Sequence, residues 1–199
     1  MLKEPSAPPA GMAAAYAELT VAAVADALDR LGYAGQCAGL ARHGAMARFC
    51  GRVFTVQIMP VGPPDGRLPD GDLGEYIEDV PEGYVVAVDH RGRTDACVWD
   101  ERLTARARAR GVAGVVVDGA CRGVSPEDGL AVWARAVQPR HGRRRVRVEA
   151  CNLPVVVGGV RVECDDLMLA DADGVVVVPR DHLAAVLEMA RQGAPTRTA

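Results

Sequence analysis

The spacing of apolar residues is helical at the two ends of the chain. After Thr20, a suitable N-cap, apolar residues recur every three or four positions, which predicts an amphipathic helix that ends near residue 31. The buried face of this helix would consist of Val21, Val24, Ala25 and Leu28. A similar pattern after Asp181 predicts a closing helix with Asp181 as its cap. Its buried face would consist of Leu183, Val186, Leu187 and Ala190.

Between these helices, short apolar runs bounded by Gly, Pro and acidic residues predict β-strands. The runs are CGRVFTVQIMP (50–60), PEGYVVAVDH (81–90), GVVVD (114–118), AVWARAVQP (131–139), VRVEA (146–150), LPVVVGGVRVE (153–163), LMLA (167–170) and GVVVVP (174–179). Residues 61–71 read as a turn-rich loop and residues 72–80 as a short acidic helix. This order predicts an α/β fold, a single domain with a mixed sheet flanked by helices. The domain would span residues 13–193, between a flexible lead (1–12) and a flexible tail (194–199).

Composition narrows the class of protein. The 199 residues are 49% hydrophobic and 25% charged, as is usual for a soluble globular domain. A formal net charge of −3 and the lack of a long apolar run argue against nucleic-acid and membrane partners, and the N-terminus does not resemble a secretory signal. We therefore expect a cytoplasmic protein. The basic run RHGRRRVRV (140–148) is better explained as a solvated strand edge, and the acidic runs ECDD and ADADG as turns.

Cysteine and lysine usage excludes several chemistries. The six cysteines are scattered, with no CxxC pair and no histidine at ligand spacing, so reduced thiols are expected. Cys121, beside Arg122, is kept as a candidate nucleophile, although a buried residue that closes a turn explains it better. Lys3 is the only lysine and lies in the predicted lead, so pyridoxal phosphate attachment, a Schiff base and a P-loop lysine are excluded.

The candidate site lies in WDERLTARARARGVAGVVVDGACRG, residues 99–123. It reads as a helix that begins near Asp100 and Glu101, a buried strand, and a loop that carries Arg122. Ligands of α/β folds usually bind at the carboxyl ends of strands, so the two acids and the arginine should converge there. Asp118 ends the strand, a position where aspartate more often stabilises a turn.

Four segments resemble the RraA-like family, which includes the class II 4-hydroxy-4-methyl-2-oxoglutarate aldolases. They are LTVAAVADALDRLG, CGRVFTVQ, WDERLTARARARGVAGVVVDGACRG and LPVVVGGVRVECDDLMLADADGVVVVP. The resemblance covers nearly the whole chain after residue 18. It implies a swivelling β/β/α fold, a ring-shaped trimer or a hexamer, and an active site between neighbouring subunits.

The resemblance also implies roles for residues. Aldolases of this family carry an acidic residue separated by twenty positions from an Arg-Asp pair, and Glu101 and Arg122 match the first two elements. In the family, this arginine and backbone N–H groups at the helix start hold a pyruvate-like carboxylate, while Mg²⁺ or Mn²⁺ polarises the keto oxygen. The candidate catalytic residues are Arg122, Glu101 and Asp100. The candidate substrate-binding residues are Arg122, Arg102, Leu103, Asp118 and Gly119.

Two positions depart from the family pattern. Gly123 stands where the family has its metal-ligand aspartate, and Asp100 stands where it has a glycine close to the substrate. A bound metal is therefore doubtful, and no ligand is assigned. Asp100 could replace the lost ligand, or one of Ser125, Glu127 and Asp128 could do so. The site could instead use Asp100 or Glu101 as an acid or base, or Asp100 could simply cap the helix and pair with Arg122.

Three functions remain open. The first is a carbon–carbon lyase of the aldolase or oxaloacetate decarboxylase type, which acts on a small 2-oxo acid through a pyruvate enolate. The second is a diverged, metal-independent enzyme that uses acid–base chemistry on another substrate. The third is a non-catalytic regulator that binds a ribonuclease. The few aromatic residues favour a small acid as the ligand.

Overall fold

The structure, a computed structural model, describes residues 11–46, 48–61 and 72–193. Most of the predicted lead with Lys3, most of the predicted loop at 61–71, and the predicted tail lie outside the described residues. Helix α1 begins at Met12, so the last residue of the predicted lead is helical.

The described residues form four α-helices and eleven strands. The helices are α1 (Met12–Ala17), α2 (Val21–Arg30), α3 (Glu101–Ala109) and α4 (Leu183–Gly193). The strands are β1 (Gln36–Cys37), β2 (Ala41–Arg42), β3 (Phe49–Pro60), β4 (Val85–Trp99), β5 (Gly114–Cys121), β6 (Val132–Val137), β7 (Val146–Cys151), β8 (Val155–Val157), β9 (Val160–Val162), β10 (Leu167–Ala170) and β11 (Val175–Val178). Short 3₁₀ turns lie at Glu75–Asp79, Pro126–Asp128 and Arg180–His182.

Nine of these strands form one mixed sheet in the described part of the chain. Its order is β1-β11-β10-β3-β4-β5-β6-β2, with β7 also paired to β3. The centre, β3-β4-β5-β6, is parallel, and the other pairs are antiparallel. Strands β8 and β9 form a separate hairpin. Because the central strands are parallel, their carboxyl ends meet at one edge of the sheet.

The valine-rich strands are continuous apolar runs because both faces of the sheet are covered. On β5, Val115 and Val117 pack in the same cluster as Leu103 of α3. Val116, between them, packs in another cluster with the valines of hairpin β8–β9. Helices α1, α2 and α4 cover β10 and β11 in a third cluster. The predicted α/β domain with a mixed sheet flanked by helices is therefore confirmed.

Details of the helices confirm some predictions and correct others. Thr20 caps α2, since its Oγ1 accepts a hydrogen bond from the backbone N–H of Ala23 at 3.2 Å. Ala27 is buried on this helix, while Ala25 is only half-buried. The prediction that Asp181 caps the closing helix is wrong, because Asp181 lies inside a 3₁₀ turn that precedes α4. No described helix is long and apolar enough to span a membrane.

Candidate active site

Asp100 is the N-cap of α3, and its carboxylate closes the first turn of that helix. Its backbone is extended, and its Oδ1 accepts hydrogen bonds from the backbone N–H groups of Arg102, at 3.2 Å, and Leu103, at 3.1 Å. The residue is 3% exposed. A carboxylate in this position stabilises the helix through both hydrogen bonds and the helix dipole. The sequence-based interpretation of Asp100 as a cap is therefore confirmed.

Arg122 lies next to Asp100 because β4 and β5 are parallel neighbours. The two strands end with Trp99 opposite Cys121, and the backbone N–H of Arg122 donates to the carbonyl of Trp99 at 3.0 Å. Nη2 of Arg122 lies 3.8 Å from Oδ2 of Asp100, an ion pair longer than a hydrogen bond. Nη1 donates to the carbonyl of Pro139 at 3.3 Å. The buried Nε–H of Arg122 has no acceptor within the described part of the chain.

His141 is the third member of this cluster, and sequence reasoning missed it. Its Nε2 lies 3.4 Å from Oδ2 of Asp100, and its Nδ1 accepts a hydrogen bond from the backbone N–H of Arg143 at 2.8 Å. We assign the ring proton to Nε2 because Nδ1 is an acceptor. Burial lowers the pKa of His141 and the charge of Arg122 lowers it further, while Asp100 opposes them. The surroundings of His141 therefore favour the neutral imidazole.

A cavity of about 270 Å³ opens beside this cluster. The residues that line it are Asp72, Leu73, Cys97, Val98, Trp99, Asp100, Arg102, Leu103, His141 and Arg143. Arg102 and Leu103 were predicted from the sequence. His141 and Arg143 belong to the basic run that was assigned to a strand edge. They reach the cavity because the backbone N–H of Cys97 donates to the carbonyl of Arg140 at 2.8 Å, which brings the two segments together.

Glu101 and Gly123 are also neighbours. Gly123 has φ +59°, and a Cβ atom at this position would overlap the carboxylate of Glu101. Glu101 itself is exposed at the start of α3. The carboxylate of Glu101 therefore lies in the space that a side chain on residue 123 would need.

Several candidate residues do not join the cluster. Asp118 forms an ion pair with Arg135 and accepts a hydrogen bond from the backbone N–H of Gly158 at 3.0 Å. Gly119 packs against the His90 side chain. Neither residue lines the cavity beside Asp100.

Two of the three candidate replacement ligands bond to each other. Ser125 and Asp128 form a reciprocal capping box, in which the backbone N–H of Ser125 donates to Oδ2 of Asp128 at 2.8 Å. Glu127, in the same turn, is exposed. No three His, Cys, Asp or Glu side chains in residues 11–46, 48–61 and 72–193 are grouped so that they could hold a metal ion. The Asp100 carboxylate accepts hydrogen bonds from the start of α3 and lies beside Arg122 and His141. The side chains of this cluster therefore do not fit Mg²⁺ or Mn²⁺, which prefer several oxygen ligands.

The cysteine thiols are not activated. Cys121 is 1% exposed, and burial raises its pKa to about 11. Burial is also the largest cause of the raised pKa of Cys97, which lines the cavity. Since the thiolate is the reactive form, the structure favours the interpretation of Cys121 as a buried strand residue over that of a nucleophile.

The sequence of this chain is similar to that of a known protein family. The model of the RraA-like family, described as Aldolase/RraA, matches residues 21–177. Protein DlpA of Legionella pneumophila is 29% identical over 83% of this chain and 27% of its own length. The 4-hydroxy-4-methyl-2-oxoglutarate aldolase of Thermus thermophilus is 31% identical over 68% of this chain and 79% of its own length.

A solved structure agrees with these sequence matches. Streptomyces coelicolor RraAS2, described as an unusual member of the RNase ES inhibitor RraA family, superposes with a TM-score of 0.79 and 25% identity. That superposition covers 94% of each chain. This chain spans only 27% to 59% of the length of three of its curated relatives. The family match covers most of the chain, and the fold agrees with it. The chain therefore belongs to the RraA-like family.

Proposed function

We propose that this chain is a carbon–carbon lyase that acts on a small 2-oxo acid in the cavity beside Asp100. The observation that carries the proposal is Arg122, whose guanidinium has an Nε–H without an acceptor in the described part of the chain and an Nη2 beyond hydrogen-bond distance of Asp100. The Nε–Nη2 edge of arginine is suited to bidentate binding of a carboxylate. Relatives that carry an aldolase name support the same class of reaction.

The charges around the cavity support a small anionic substrate. Arg102 and Arg143 line the cavity, whereas Arg122 is not among its lining residues and lies 3.8 Å from the lining residue Asp100. The volume of about 270 Å³ fits a small organic acid. Arg122 would hold the substrate carboxylate, and the nearby guanidinium groups would stabilise the negative charge that develops on the keto oxygen.

Glu101 is the best-placed general base, because its exposed carboxylate lies over Gly123 and beside the Arg122 loop. In the proposed step, Glu101 takes the proton of the C4 hydroxyl of a 4-hydroxy-2-oxo acid. The C3–C4 bond breaks, a carbonyl forms at C4, and the bonding electrons pass to the keto group as an enolate. A proton then adds to C3 and gives the 2-oxo acid product, pyruvate when C3 carries no substituent. Because the donor set does not fit a divalent metal, no step is assigned to one.

A second candidate, which likewise uses no metal, is a diverged enzyme that acts on another substrate by acid–base chemistry. The observation that favours it is the cap of α3, since Oδ1 of Asp100 takes the N–H groups of Arg102 and Leu103. The resemblance assigns backbone groups of this turn to the substrate carboxylate. A substrate of this chain would then bind Arg122 alone, or present a group other than a carboxylate to the helix.

A coupled lactate dehydrogenase assay for pyruvate tests the first candidate. Oxaloacetate and 4-hydroxy-2-oxo acids should release pyruvate, and a chelator should leave the rate unchanged. Arg122→Ala should lower kcat/KM roughly a hundredfold, because it removes the charge that binds both substrate and transition state. Arg147→Ala, on the solvated strand β7, is the matched control and should keep full activity.

Three results would contradict parts of this proposal. No pyruvate from any of these acids, with or without Mg²⁺ or Mn²⁺, would exclude the lyase. Equal activity of Arg122→Ala and the wild type would remove Arg122 from the site, and activity that requires metal would overturn the metal-independent mechanism. The trimer or hexamer implied by the resemblance stays a prediction, which light scattering can check.

A further inference from the structure

A second cleft, of about 520 Å³, lies where the regular parallel pairing of β3, β4 and β5 ends, beside hairpin β8–β9. Gln57 of β3, Asp89 of β4, Asp118 of β5 and Arg135 of β6 contribute to its wall. None of the residues that line it also lines the cavity beside Asp100. The carboxyl ends of parallel strands are a usual place for ligands in α/β folds.

The two carboxylates of this cleft form hydrogen bonds and an ion pair within the protein. Asp89 and Asp118 lie opposite each other in the β4–β5 register. Asp89 accepts hydrogen bonds from the backbone N–H groups of Arg91, at 2.7 Å, and Val156, at 3.3 Å. Asp118 pairs with Arg135 and accepts from the backbone N–H of Gly158 at 3.0 Å. Each of the four carboxylate oxygens therefore has a donor, and the acids anchor the hairpin to the sheet.

Some side-chain N–H groups of this cleft have no acceptor among these bonds. No described residue pairs with the guanidinium of Arg91, and the side-chain amide of Gln57 likewise has no partner in the described part of the chain. Arg135, 29% exposed, uses its Nε for Asp118 and still presents its two terminal nitrogens. Arg91, Arg135 and the amide N–H of Gln57 therefore offer unbonded donors at this cleft, as the binding of an oxyanion requires.

The backbone at Arg91 supports the same conclusion. Arg91 has φ +55°, and Gly92 after it has φ +68°. A left-handed conformation is easy for glycine but unfavourable for a residue with a long side chain. The hydrogen bond from the Arg91 N–H to Asp89 holds this conformation. This bonded turn fixes the point at which the Arg91 side chain leaves the backbone, at the wall of the cleft.

We propose that this cleft binds a small organic anion through its carboxylate or phosphate group. Arg91 binds the oxyanion with two parallel N–H bonds, and Arg135 and Gln57 complete the donor set. Val155 and Val156 of the hairpin give an apolar wall for the body of the ligand. This inference does not rest on the proposed lyase reaction, since the cleft shares no residue with that site.

Isothermal titration calorimetry with citrate and with inorganic phosphate tests the proposal. Arg91→Gly removes the guanidinium and also relieves the left-handed backbone, so it should fold at least as well as the wild type. Its affinity for the probe should fall about tenfold or more. Arg93→Ala is the matched control, because Arg93 is exposed two residues away and pairs with Asp95 outside the cleft. The probe that binds more tightly identifies carboxylate or phosphate as the preferred group.

Arg91→Gln gives an independent check, since it keeps a polar side chain of similar reach without the charge. It should also lose affinity, and the loss should be greater at low ionic strength, where charge matters most. Equal affinity of the wild type and Arg91→Gly would overturn the proposal. So would the absence of measurable heat with both probes at millimolar concentration, or an equal loss in Arg93→Ala.

Discussion

The carboxylate of Glu101 occupies the space that any side chain at position 123 would need, and Gly123 is the residue that permits this. A Cβ atom built on Gly123 overlaps Oε2 of Glu101, and the glycine has φ +59°. An aspartate here would meet a steric conflict, a like charge and an unfavourable backbone conformation together. The glycine at position 123 is therefore coupled to the placement of Glu101.

Gly123→Asp should consequently destabilise the protein instead of restoring a metal site. We expect the free energy of unfolding to fall by roughly 1–3 kcal/mol, because backbone strain and repulsion between the two carboxylates act together, while the exposed Glu101 side chain can move to relieve the overlap. Adding Glu101→Ala should recover part of this loss, and urea denaturation of both single variants and the double variant measures the coupling. Gly83→Asp is the control for backbone strain alone, since Gly83 has φ +78° and open space around it. If Gly83→Asp and Gly123→Asp lower the free energy of unfolding equally, the proposed conflict between residue 123 and Glu101 is contradicted.

The carboxylate of Asp100 should have separate effects on stability and on ligand binding. Asp100→Ala removes the cap of α3 and should cost about 1 kcal/mol, while Asp100→Asn keeps a good cap and should cost much less. Both variants remove a negative charge 3.8 Å from Arg122, so pyruvate should bind more tightly, by about tenfold. Calorimetry with pyruvate checks this. Thr20→Ala, which removes the cap of α2, should lose stability with no change in affinity.

Asp118 should act as a structural residue. It is 3% exposed, pairs with Arg135 and accepts from the N–H of Gly158. Asp118→Ala leaves a buried donor and a guanidinium without their acceptor, and should lower the free energy of unfolding by about 3 kcal/mol. Asp95→Ala, in an exposed ion pair, should cost less than about 1 kcal/mol. A large rise in KM for Asp118→Ala without loss of stability would instead support its predicted role in substrate binding.

His141 should make the protein less stable at acidic pH. Its pKa is lowered in the folded state, first by burial and then by Arg122. Below the unfolded pKa of about 6.5, the unfolded chain therefore binds more protons than the folded one, and stability falls as the pH falls. His141→Gln should make this pH dependence less steep between about pH 7 and 5. Urea midpoints measured across that range check the slope, and an unchanged or steeper slope in the variant would contradict the assignment.

The sequence-based predictions succeeded where a local pattern was sufficient. Valine runs marked the central strands because these are buried on both faces, and Thr20 and Asp100 marked helix starts because capping needs only neighbouring residues. The second half of β4, residues 91–99, was not predicted as a strand, because its exposed polar residues conceal the pattern. Asp181 was misplaced because a 3₁₀ turn separates it from the helix that follows.

For this protein, the sequence alone determined the fold class and the start of α3, and it predicted that Arg122 lies near Asp100, which the structure shows. Those features depend on side-chain periodicity, capping and the rule that parallel strands end at a common edge. Only the tertiary structure decided that His141 contacts Asp100, that Asp118 supports a second cleft, and that Glu101 fills the space above Gly123. These contacts join segments that are distant in sequence. They depend on strand register and on side-chain volume, and no local sequence pattern encodes either.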